Sequence, residues 1–385
     1  MIPYGKQNIS QLDIAAVLEV LESDFLTQGP KVPLFEDVVA KKVGADFAVA
    51  VNSATSALHI ACMALGLGQS DWLWTSPNTF VASANCGLYC GSKVDFVDID
   101  SKTHNICSQA LEEKLNKAKA DGRLPKVLVA VHFSGQPCDM KIIHKLSKRF
   151  GFYVIEDASH AIGGKYEEKY IGNCYYSDIT VFSFHPVKIV TTAEGGMALT
   201  NDSKLFEKMN MLRSHGITRD ENIMEESSHG GWYYEQQELG YNYRLTELQA
   251  ALGISQMKRL DEFVANRHSL AEVYDNELIH MPVKLPSRFE NTYSGMHLYV
   301  IRLRLNEIKK SHKEVFAELR TKGIGVNLHY IPVHIQPFYK KLGFKWGDFP
   351  EAENYYEEAI SLPIFHGMTR EQQKSVITTL YEVLR

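Results

Sequence analysis

The stretch "PKVLVAVHFSGQPCDMKIIHKLSKRFGFYVIEDAS" (125–159) decides the fold class. It begins with an apolar, β-branched run, continues with a helix-like segment and ends with a second apolar run. Near-continuous apolar strands that are joined through a helix are typical of parallel strands buried on both faces. The stretch therefore predicts one β–α–β unit of a mostly parallel sheet.

The same alternation continues on both sides of this stretch. Strand-like "DFAVAVNS" (46–53), "WLWTSP" (72–77) and "KVDFVDID" (93–100) are each followed by a helix-like segment. Repeated units of this kind predict an α/β fold in which helices cover both faces of the sheet. In such sheets, ligands bind at the carboxyl ends of the strands.

A second, smaller domain is expected at the C-terminal end. A helical stretch over roughly 244–278 leads to the strand-like segments "HLYVIRLRL" (297–305) and "GVNLHYIP" (325–332), with helices predicted at 312–323, near 351–360 and at 369–384. The predicted division is an N-terminal substrate-side segment (1–12), a large domain (13–250) and a small domain (251–385).

Composition excludes several classes of function. The chain has 385 residues and a net charge of −5, so nothing favours nucleic acid or anionic membrane as a partner. No apolar run approaches the length of a membrane span, and the start "MIPYGKQNIS" lacks a signal pattern, so a cytoplasmic protein is predicted. The six cysteines and 15 histidines show no metal-ligand spacing, so no metal is predicted. The glycine fingerprints of dinucleotide and ATP sites are missing as well.

Three segments could carry chemistry. In "NSATSAL" (52–58), small polar residues crowd a helix start, which suits either plain capping or an anion site. Asp157 ends an apolar strand next to Glu156; it could cap the following segment or hold a protonated ring nitrogen of a cofactor. Lys188 is a single cation within "ITVFSFHPVKIVTTAEGGMALT" (179–200), and could be an ion-pair partner, a snorkelling side chain or a desolvated amine that forms a Schiff base.

The segments "NSATSALH", "TSPNTFVASANC", "EDASHAIGGKY", "VFSFHPVKIVTTAEGGMALTND" and "LGYNYRLTELQAALGISQ" resemble the nucleotide-sugar aminotransferases of the DegT type. These are fold-type I enzymes that depend on pyridoxal 5′-phosphate (PLP), and the resemblance covers essentially the whole chain. It implies that Lys188 is the Schiff-base lysine and proton shuttle. It further implies that Asp157 pairs with the pyridinium nitrogen and that His160 lies near the phenolic oxygen of the ring, where many relatives carry Gln. The other implied cofactor contacts are Phe80 as the stacking ring, Ala54, Thr55 and Ser183 around the phosphate, and Asn242 reaching across from the partner subunit of a homodimer.

Two further segments, "SDFLTQGPKV" (23–32) and "GIGVNLHYIPVH" (323–334), resemble family members that aminate UDP-linked 4-keto-6-deoxy-2-acetamido sugars. This resemblance implies L-glutamate as the amino donor. The implied substrate residues are Tyr4, Asp24, Phe25, Leu26, Thr27, Asn327, Leu328, His329 and Tyr330, together with Ala54, Ser183 and Asn242. From the residues alone, Tyr4 could instead pin the terminus, "NLHY" could be an ordinary strand end and Asn242 could cap a helix. Alternative functions are amination of a GDP- or TDP-linked keto sugar and, ranked lower, a non-catalytic PLP-binding regulator.

Overall fold

A computed structural model describes every residue of the chain, Met1–Arg385. Its strands are β1 (Ile2–Pro3), β2 (Phe47–Val51), β3 (Trp72–Thr75), β4 (Lys93–Phe96), β5 (Val127–Val131), β6 (Tyr153–Asp157), β7 (Lys165–Tyr166), β8 (Lys169–Tyr170), β9 (Ile179–Ser183), β10 (Gly196–Thr200), β11 (Ile217–Thr218), β12 (Glu235–Gln236), β13 (Val283–Lys284), β14 (Thr292–Tyr293), β15 (Tyr299–Leu303), β16 (Ile324–Gly325) and β17 (Ala359–Leu362).

The α-helices are α1 (Gln11–Leu21), α2 (Lys31–Val43), α3 (Ala54–Ala64), α4 (Ala82–Tyr89), α5 (Ser108–Ala120), α6 (Met140–Phe150), α7 (Ser203–Arg213), α8 (Glu247–Met257), α9 (Leu260–Leu278), α10 (His312–Thr321), α11 (Pro337–Lys340), α12 (Pro350–Glu358) and α13 (Arg370–Leu384). No helix combines the length and the apolar character needed to cross a lipid bilayer.

The central sheet has seven strands in the order β2-β10-β9-β6-β5-β3-β4. Every neighbouring pair is parallel except the two pairs that involve β10, which runs antiparallel to β2 and β9. Strands β5 and β6 pair in parallel from Val127↔Tyr153 to Val131↔Asp157, with α6 connecting them. The predicted α/β fold with a mostly parallel sheet is confirmed.

Helices cover both faces of this sheet because successive strand residues point to opposite sides. On β6, Val154 packs in a cluster with Leu111 of α5 and Ile143 of α6. Its neighbour Ile155 packs in a different cluster, which contains Leu58 of α3. The two faces of one strand therefore belong to two separate cores.

The C-terminal part has its own sheet and its own core. Strands β13, β15 and β17 pair antiparallel, and 23 buried side chains contributed from Leu270 onward form one cluster around them. The N-terminal strand β1 pairs in parallel with β16, so the start of the chain is fixed to this part. The predicted division into three segments stays a prediction; the boundary between residues 250 and 251 lies within helix α8 (Glu247–Met257).

Two predicted elements were wrong. The helical stretch 244–278 is two helices, because the chain leaves helical geometry at Arg259 (φ −110°, ψ 8°), whose guanidinium bonds the carboxylate of Asp13 at 2.6 Å. The predicted strand at 325–332 forms only at its start, in β16. Beyond it, the Asn327 side chain accepts a hydrogen bond from Leu328 N–H at 2.9 Å, which competes with a regular strand ladder.

Candidate active site

A cavity of about 540 Å³ opens where the carboxyl ends of β6 and β9 meet the N-terminus of α3. Its wall combines the carboxyl ends of central strands and the loops that follow them with α3, the N-terminal segment and the loop after β16. Twelve of the predicted site residues line it, namely Tyr4, Ala54, Thr55, Phe80, Asp157, His160, Ser183, Lys188, Asn327, Leu328, His329 and Tyr330. The cavity thus gathers residues that are separated by more than 300 positions in the sequence.

Lys188 lies in the connection between β9 and β10, with its backbone N–H bonded to the carbonyl of His185 at 2.9 Å. The side chain is half-buried, and its Nζ makes no hydrogen bond or salt bridge with any side chain or backbone group. Burial lowers the pKa of Lys188 to about 8, although the negative charge of Asp157 acts in the opposite direction. About a tenth of this amine is therefore neutral, and hence nucleophilic, at pH 7.

Asp157 is the last residue of β6 and is 6% exposed. Its Oδ1 accepts hydrogen bonds from the backbone N–H and the hydroxyl of Ser159, at 3.2 and 2.6 Å. Its Oδ2 accepts one from the hydroxyl of Ser83 at 2.6 Å. These donors hold the carboxylate in one orientation at the cavity wall.

The N-terminus of α3 offers free backbone donors to the cavity. The Ser53 side chain caps the helix by accepting from Ser56 N–H at 3.1 Å, so the N–H groups of Ala54 and Thr55 have no helical partner. Gly196 allows strand β10 to approach this turn, since a Cβ added there would lie 2.4 Å from the nitrogen of Ala54. Free N–H groups and the helix dipole make this turn suited to a phosphate.

His160 is held in one tautomer by its two partners. Its Nδ1 accepts from the backbone N–H of Ser134 at 3.2 Å, so the proton is on Nε2, which is 3.1 Å from the hydroxyl oxygen of Tyr330. Burial, together with the charge of Lys188, lowers the pKa of His160 well below its usual value. The imidazole is therefore neutral and donates to Tyr330, which leaves the Tyr330 hydroxyl proton free to point into the cavity.

Another part of the cavity wall is formed by the N-terminal segment and the loop after β16. The rings of Tyr4 and His329 lie 5.1 Å apart, and His329 Nδ1 is 2.8 Å from the hydroxyl of Ser361. Burial lowers the pKa of His329 to about 3, so this imidazole is neutral too. Phe80 borders the same wall with 58% of its surface exposed, and its ring centroid lies 6.1 Å from that of Tyr330. An aromatic face is thus free to stack on a planar ligand.

Five predicted residues lie elsewhere in the single chain. Asp24, Phe25, Leu26 and Thr27 form an exposed loop after α1, where the carbonyl of Leu26 accepts from the N–H of Glu247 at 3.1 Å. Asn242 is exposed and pairs with Ser214 through an isolated β-bridge. None of the five lines the cavity of its own chain.

The sequence did not point to several residues at the site. His297, just before β15, lines the cavity with its ring centroid 4.4 Å from that of His160, and its Nδ1 is buried without a partner. Ser83 and Ser159 hold Asp157, as described above. The D-x-S spacing of Asp157 and Ser159 is a turn signal that could have identified Ser159. No local pattern links Ser83 or His297 to the site.

These features fit PLP: an unpaired lysine amine, a buried carboxylate, a free aromatic face and open backbone N–H groups for a phosphate. A model of the DegT/DnrJ/EryC1/StrS aminotransferase family matches residues 7–381. The chain belongs to this aminotransferase family. As a member, it is a PLP-dependent sugar aminotransferase with the fold-type I architecture.

Two curated relatives of this aminotransferase are similar over its whole length. The spore coat polysaccharide biosynthesis protein SpsC of Bacillus subtilis is 38% identical over 387 residues, which cover 100% of this chain and 97% of the relative. The UDP-4-amino-4,6-dideoxy-N-acetyl-β-L-altrosamine transaminase of Campylobacter jejuni (strain 81-176) is 38% identical over 390 residues, covering 100% and 98%.

Two solved structures share its fold. Helicobacter pylori PseC, an aminotransferase of pseudaminic acid biosynthesis, has a TM-score of 0.90 and 32% identity, covering 100% of this chain and 99% of PseC. The PLP form of the sugar aminotransferase Spr1654 from Streptococcus pneumoniae has a TM-score of 0.88 and 27% identity, covering 100% of both chains.

Proposed function

We propose that this aminotransferase transfers the amino group of L-glutamate to C4 of UDP-2-acetamido-2,6-dideoxy-β-L-arabino-hex-4-ulose. The products are UDP-4-amino-4,6-dideoxy-N-acetyl-β-L-altrosamine and 2-oxoglutarate, in a route to pseudaminic acid. The observation that carries the proposal is the unpaired, partly deprotonated amine of Lys188 in a cavity with a phosphate-suited helix end on one side and a polar aromatic wall on the other. The name of the Campylobacter relative and the likeness to PseC support this choice of sugar.

PLP, when bound, supplies an aldehyde that condenses with amines and a ring that takes up electrons from the carbon next to the bound nitrogen. In our proposal Lys188 Nζ holds the aldehyde carbon, and the N–H groups of Ala54 and Thr55 hold the phosphate together with the Ser183 hydroxyl. Phe80 covers one face of the ring. Asp157 holds the ring nitrogen in its protonated form, because a buried carboxylate favours a positive charge beside it.

Lys188 also moves the protons. The free amine of Lys188 has a pKa of about 8, close to the pH at which proton transfer in both directions is efficient, so Nζ would serve as both base and acid. It takes the α-proton of L-glutamate in the first half-reaction and delivers a proton to C4 of the sugar in the second. Neutral His160 and Tyr330 line the same side of the cavity, and we assign His160 to the phenolic oxygen of the ring.

The sugar lies against Tyr4 and the segment Asn327–Tyr330. This wall offers phenol, amide and imidazole groups that carry no charge, since burial raises the pKa of Tyr4 and of Tyr330 and lowers that of His329. Neutral donors and acceptors match the hydroxyl, acetamido and keto groups of an uncharged sugar ring.

We further propose a homodimer whose sites are shared. Asp24–Thr27 and Asn242 lie at the surface of their own chain, so they reach substrate only in a partner subunit. The nearby helix α1 exposes large apolar side chains that would be covered in such a dimer; they are Leu12 (72% exposed), Leu18 (51%) and Leu21 (55%).

The visible absorption band of the PLP-loaded protein tests the reaction. We expect L-glutamate to bleach the band and the UDP-linked 4-keto sugar to restore it, with 2-oxoglutarate and the amino sugar detected by mass spectrometry. Lys188→Ala should lack the band while remaining folded by circular dichroism. Bleaching by glutamate without restoration by this sugar would refute the substrate and leave the aminotransferase intact.

SpsC, which is equally similar, favours a second candidate: an aminotransferase for another nucleotide-linked keto sugar. A panel of UDP-, GDP- and TDP-linked 4-keto sugars separates the two, because the rates of restoration rank the nucleotide and the sugar independently. Faster restoration by a GDP- or TDP-linked sugar would establish the second candidate.

Mixed dimers test the shared site. Lys188→Ala and Asn242→Ala disable different halves of one site, so each variant alone should be inactive. Random mixing makes half of the dimers hybrid, each with one intact site, and should restore about a quarter of wild-type activity. Mixtures that stay inactive would refute the assignment of Asn242 to the partner's site.

A further inference from the structure

A chain of two hydroxyl groups leads from Thr79, which lines the cavity, through Ser83 to Asp157. Ser83 donates to Asp157 Oδ2 at 2.6 Å, and the oxygens of Ser83 and Thr79 are 2.7 Å apart. Because the only hydroxyl proton of Ser83 goes to the carboxylate, Thr79 is the donor to Ser83. Both hydroxyl residues are buried, with Ser83 at 0% and Thr79 at 2% exposure.

The two carboxylate oxygens of Asp157 differ in how many hydrogen bonds they accept. A carboxylate oxygen has two lone pairs. Both sites on Asp157 Oδ1 are used by Ser159, whereas Oδ2 receives only Ser83 and keeps one free site. Asp157 lines the cavity, so its remaining acceptor site belongs to the oxygen that Ser83 holds.

The choice of partner for Ser83 is unusual for a serine in a helix. Ser83 is the second residue of α4, where a hydroxyl ordinarily bonds a nearby backbone carbonyl or faces water. Here it bonds a carboxylate 74 positions away in the sequence. Thr79 is the neighbour of Phe80 in the chain, so one short segment, 79–83, contributes both the exposed aromatic face and the contact with the carboxylate.

We propose that Ser83, supported by Thr79, is a positioning residue that holds Asp157 Oδ2 in line with the ring nitrogen of PLP. The inference rests on the proposed role of Asp157. A charge-assisted hydrogen bond fixes the direction of the carboxylate, and a carboxylate held in line makes a stronger bond to a protonated ring nitrogen. Supporting contacts of this kind tune the residue that touches the cofactor.

Cofactor affinity separates this role from a merely structural one. Apoprotein is titrated with PLP and with its 1-deaza analogue, in which a CH group replaces the ring nitrogen. Ser83→Ala should weaken PLP binding about tenfold, because the carboxylate is no longer held. The same variant should bind the deaza analogue as the wild type does, since Asp157 has no nitrogen to hold there. Thr79→Val, which keeps the shape of the side chain, should show a smaller loss with the same selectivity.

Two control variants make the outcome decisive. Ser92→Ala removes another buried hydroxyl near the end of α4, one that donates to the carbonyl of Gly87 at 2.9 Å, and should bind both cofactors normally. Asp157→Asn should lose affinity for PLP and not for the analogue.

Three outcomes have different meanings. If Ser83→Ala weakens the binding of both cofactors equally, or of neither, the positioning role is wrong while the role of Asp157 stands. If Asp157→Asn fails to discriminate, the proposed contact with the ring nitrogen is itself wrong. Should Ser83→Ala fail to fold, the selectivity of Thr79→Val decides in its place.

Discussion

Glu156 and Asp157 are neighbours at the end of one strand, yet their carboxylates lie on opposite faces of the sheet and in opposite chemical situations. Glu156 accepts from His132 Nε2 at 2.6 Å, from Ser177 at 2.5 Å and from Thr180 at 3.2 Å. His132 is itself fixed, because its Nδ1 accepts from the backbone N–H of Cys138 at 3.1 Å. Glu156 therefore accepts three hydrogen bonds, one of them from a buried imidazole.

Asp157 also accepts three hydrogen bonds, but they come from two hydroxyl groups and one backbone N–H, and its face of the sheet borders the active-site cavity. Ser83 and Ser159 hold the carboxylate, but one acceptor site on Oδ2 remains, and the nearby amine of Lys188 has no partner. Burying polar groups without partners destabilises a fold. The difference teaches that two buried carboxylates of equal prominence in the sequence, each with three hydrogen bonds, are separated by what shares their face of the sheet. Glu156 has a partnered imidazole beside it, whereas Asp157 faces a cavity that holds an unpartnered amine.

Asp157→Asn should have the largest effect on activity. Without the negative charge the ring nitrogen is no longer held in its protonated form, and we expect the half-reaction with L-glutamate to slow by about 10³-fold. Thermal unfolding of the apoprotein should change little. A rate loss below tenfold, measured by stopped-flow absorbance, would remove the distinction between the two faces.

Glu156→Gln should act on stability instead. The amide cannot accept from all three donors, and a buried donor left without an acceptor should lower the free energy of unfolding by about 2 kcal/mol. Turnover per folded molecule should stay close to that of the wild type. Urea unfolding and activity assays on the same samples check both parts.

The pH dependence of this loss sharpens the prediction. Burial alone would raise the pKa of Glu156, but hydrogen bonds, first from His132 and then from Ser177 and Thr180, lower it below the ordinary 4.5. The stabilisation is therefore present above pH 4.5 and is lost as the pH falls through the lower folded value. The difference between wild type and Glu156→Gln should shrink under these acidic conditions; a constant difference would contradict the account.

Capture of PLP by the apoprotein should depend on pH through Lys188. Only the neutral amine attacks the aldehyde, and its pKa is about 8, so the rate should rise about tenfold per pH unit below 8 and level off above it. The charge of Asp157 acts to raise this pKa, so in Asp157→Asn the levelling should come at lower pH. An unchanged profile in that variant would show that the two groups are not coupled.

Lys188→Met should stabilise the apoprotein, with the smallest effect of the three variants. Removing a partly desolvated, unpaired cation should raise the free energy of unfolding at pH 7 by on the order of 1 kcal/mol. The wild-type lysine has a pKa of about 8 when folded and an ordinary value of 10.5 when unfolded, so wild-type stability rises with pH across this window. The advantage of the variant should accordingly fade between pH 8 and 10.5 in denaturation series.

Much of the fold and part of the site followed from the sequence. Strand and helix patterns located β5, α6 and β6, because apolar periodicity reports burial locally. Lys188 and Asp157 stood out because burying a charged side chain within an apolar run costs free energy. The stretch "GVNLHYIP" misled, since its β-like composition is outweighed by the hydrogen bond of the Asn327 side chain to the next backbone N–H.

The sequence by itself determined the α/β class, the family and the candidate amine and carboxylate, because each depends on a local pattern or a long motif. Only the tertiary structure decided which groups meet. Pairing of β1 with β16 brings Tyr4 to His329, and the packing of α4 on the sheet brings Ser83 to Asp157. Nor does the strand sequence say which of two adjacent carboxylates will face the cavity and its unpartnered amine. That depends on the side chains that other segments present to each face of the sheet. Contacts between distant segments produce no periodic pattern in the sequence.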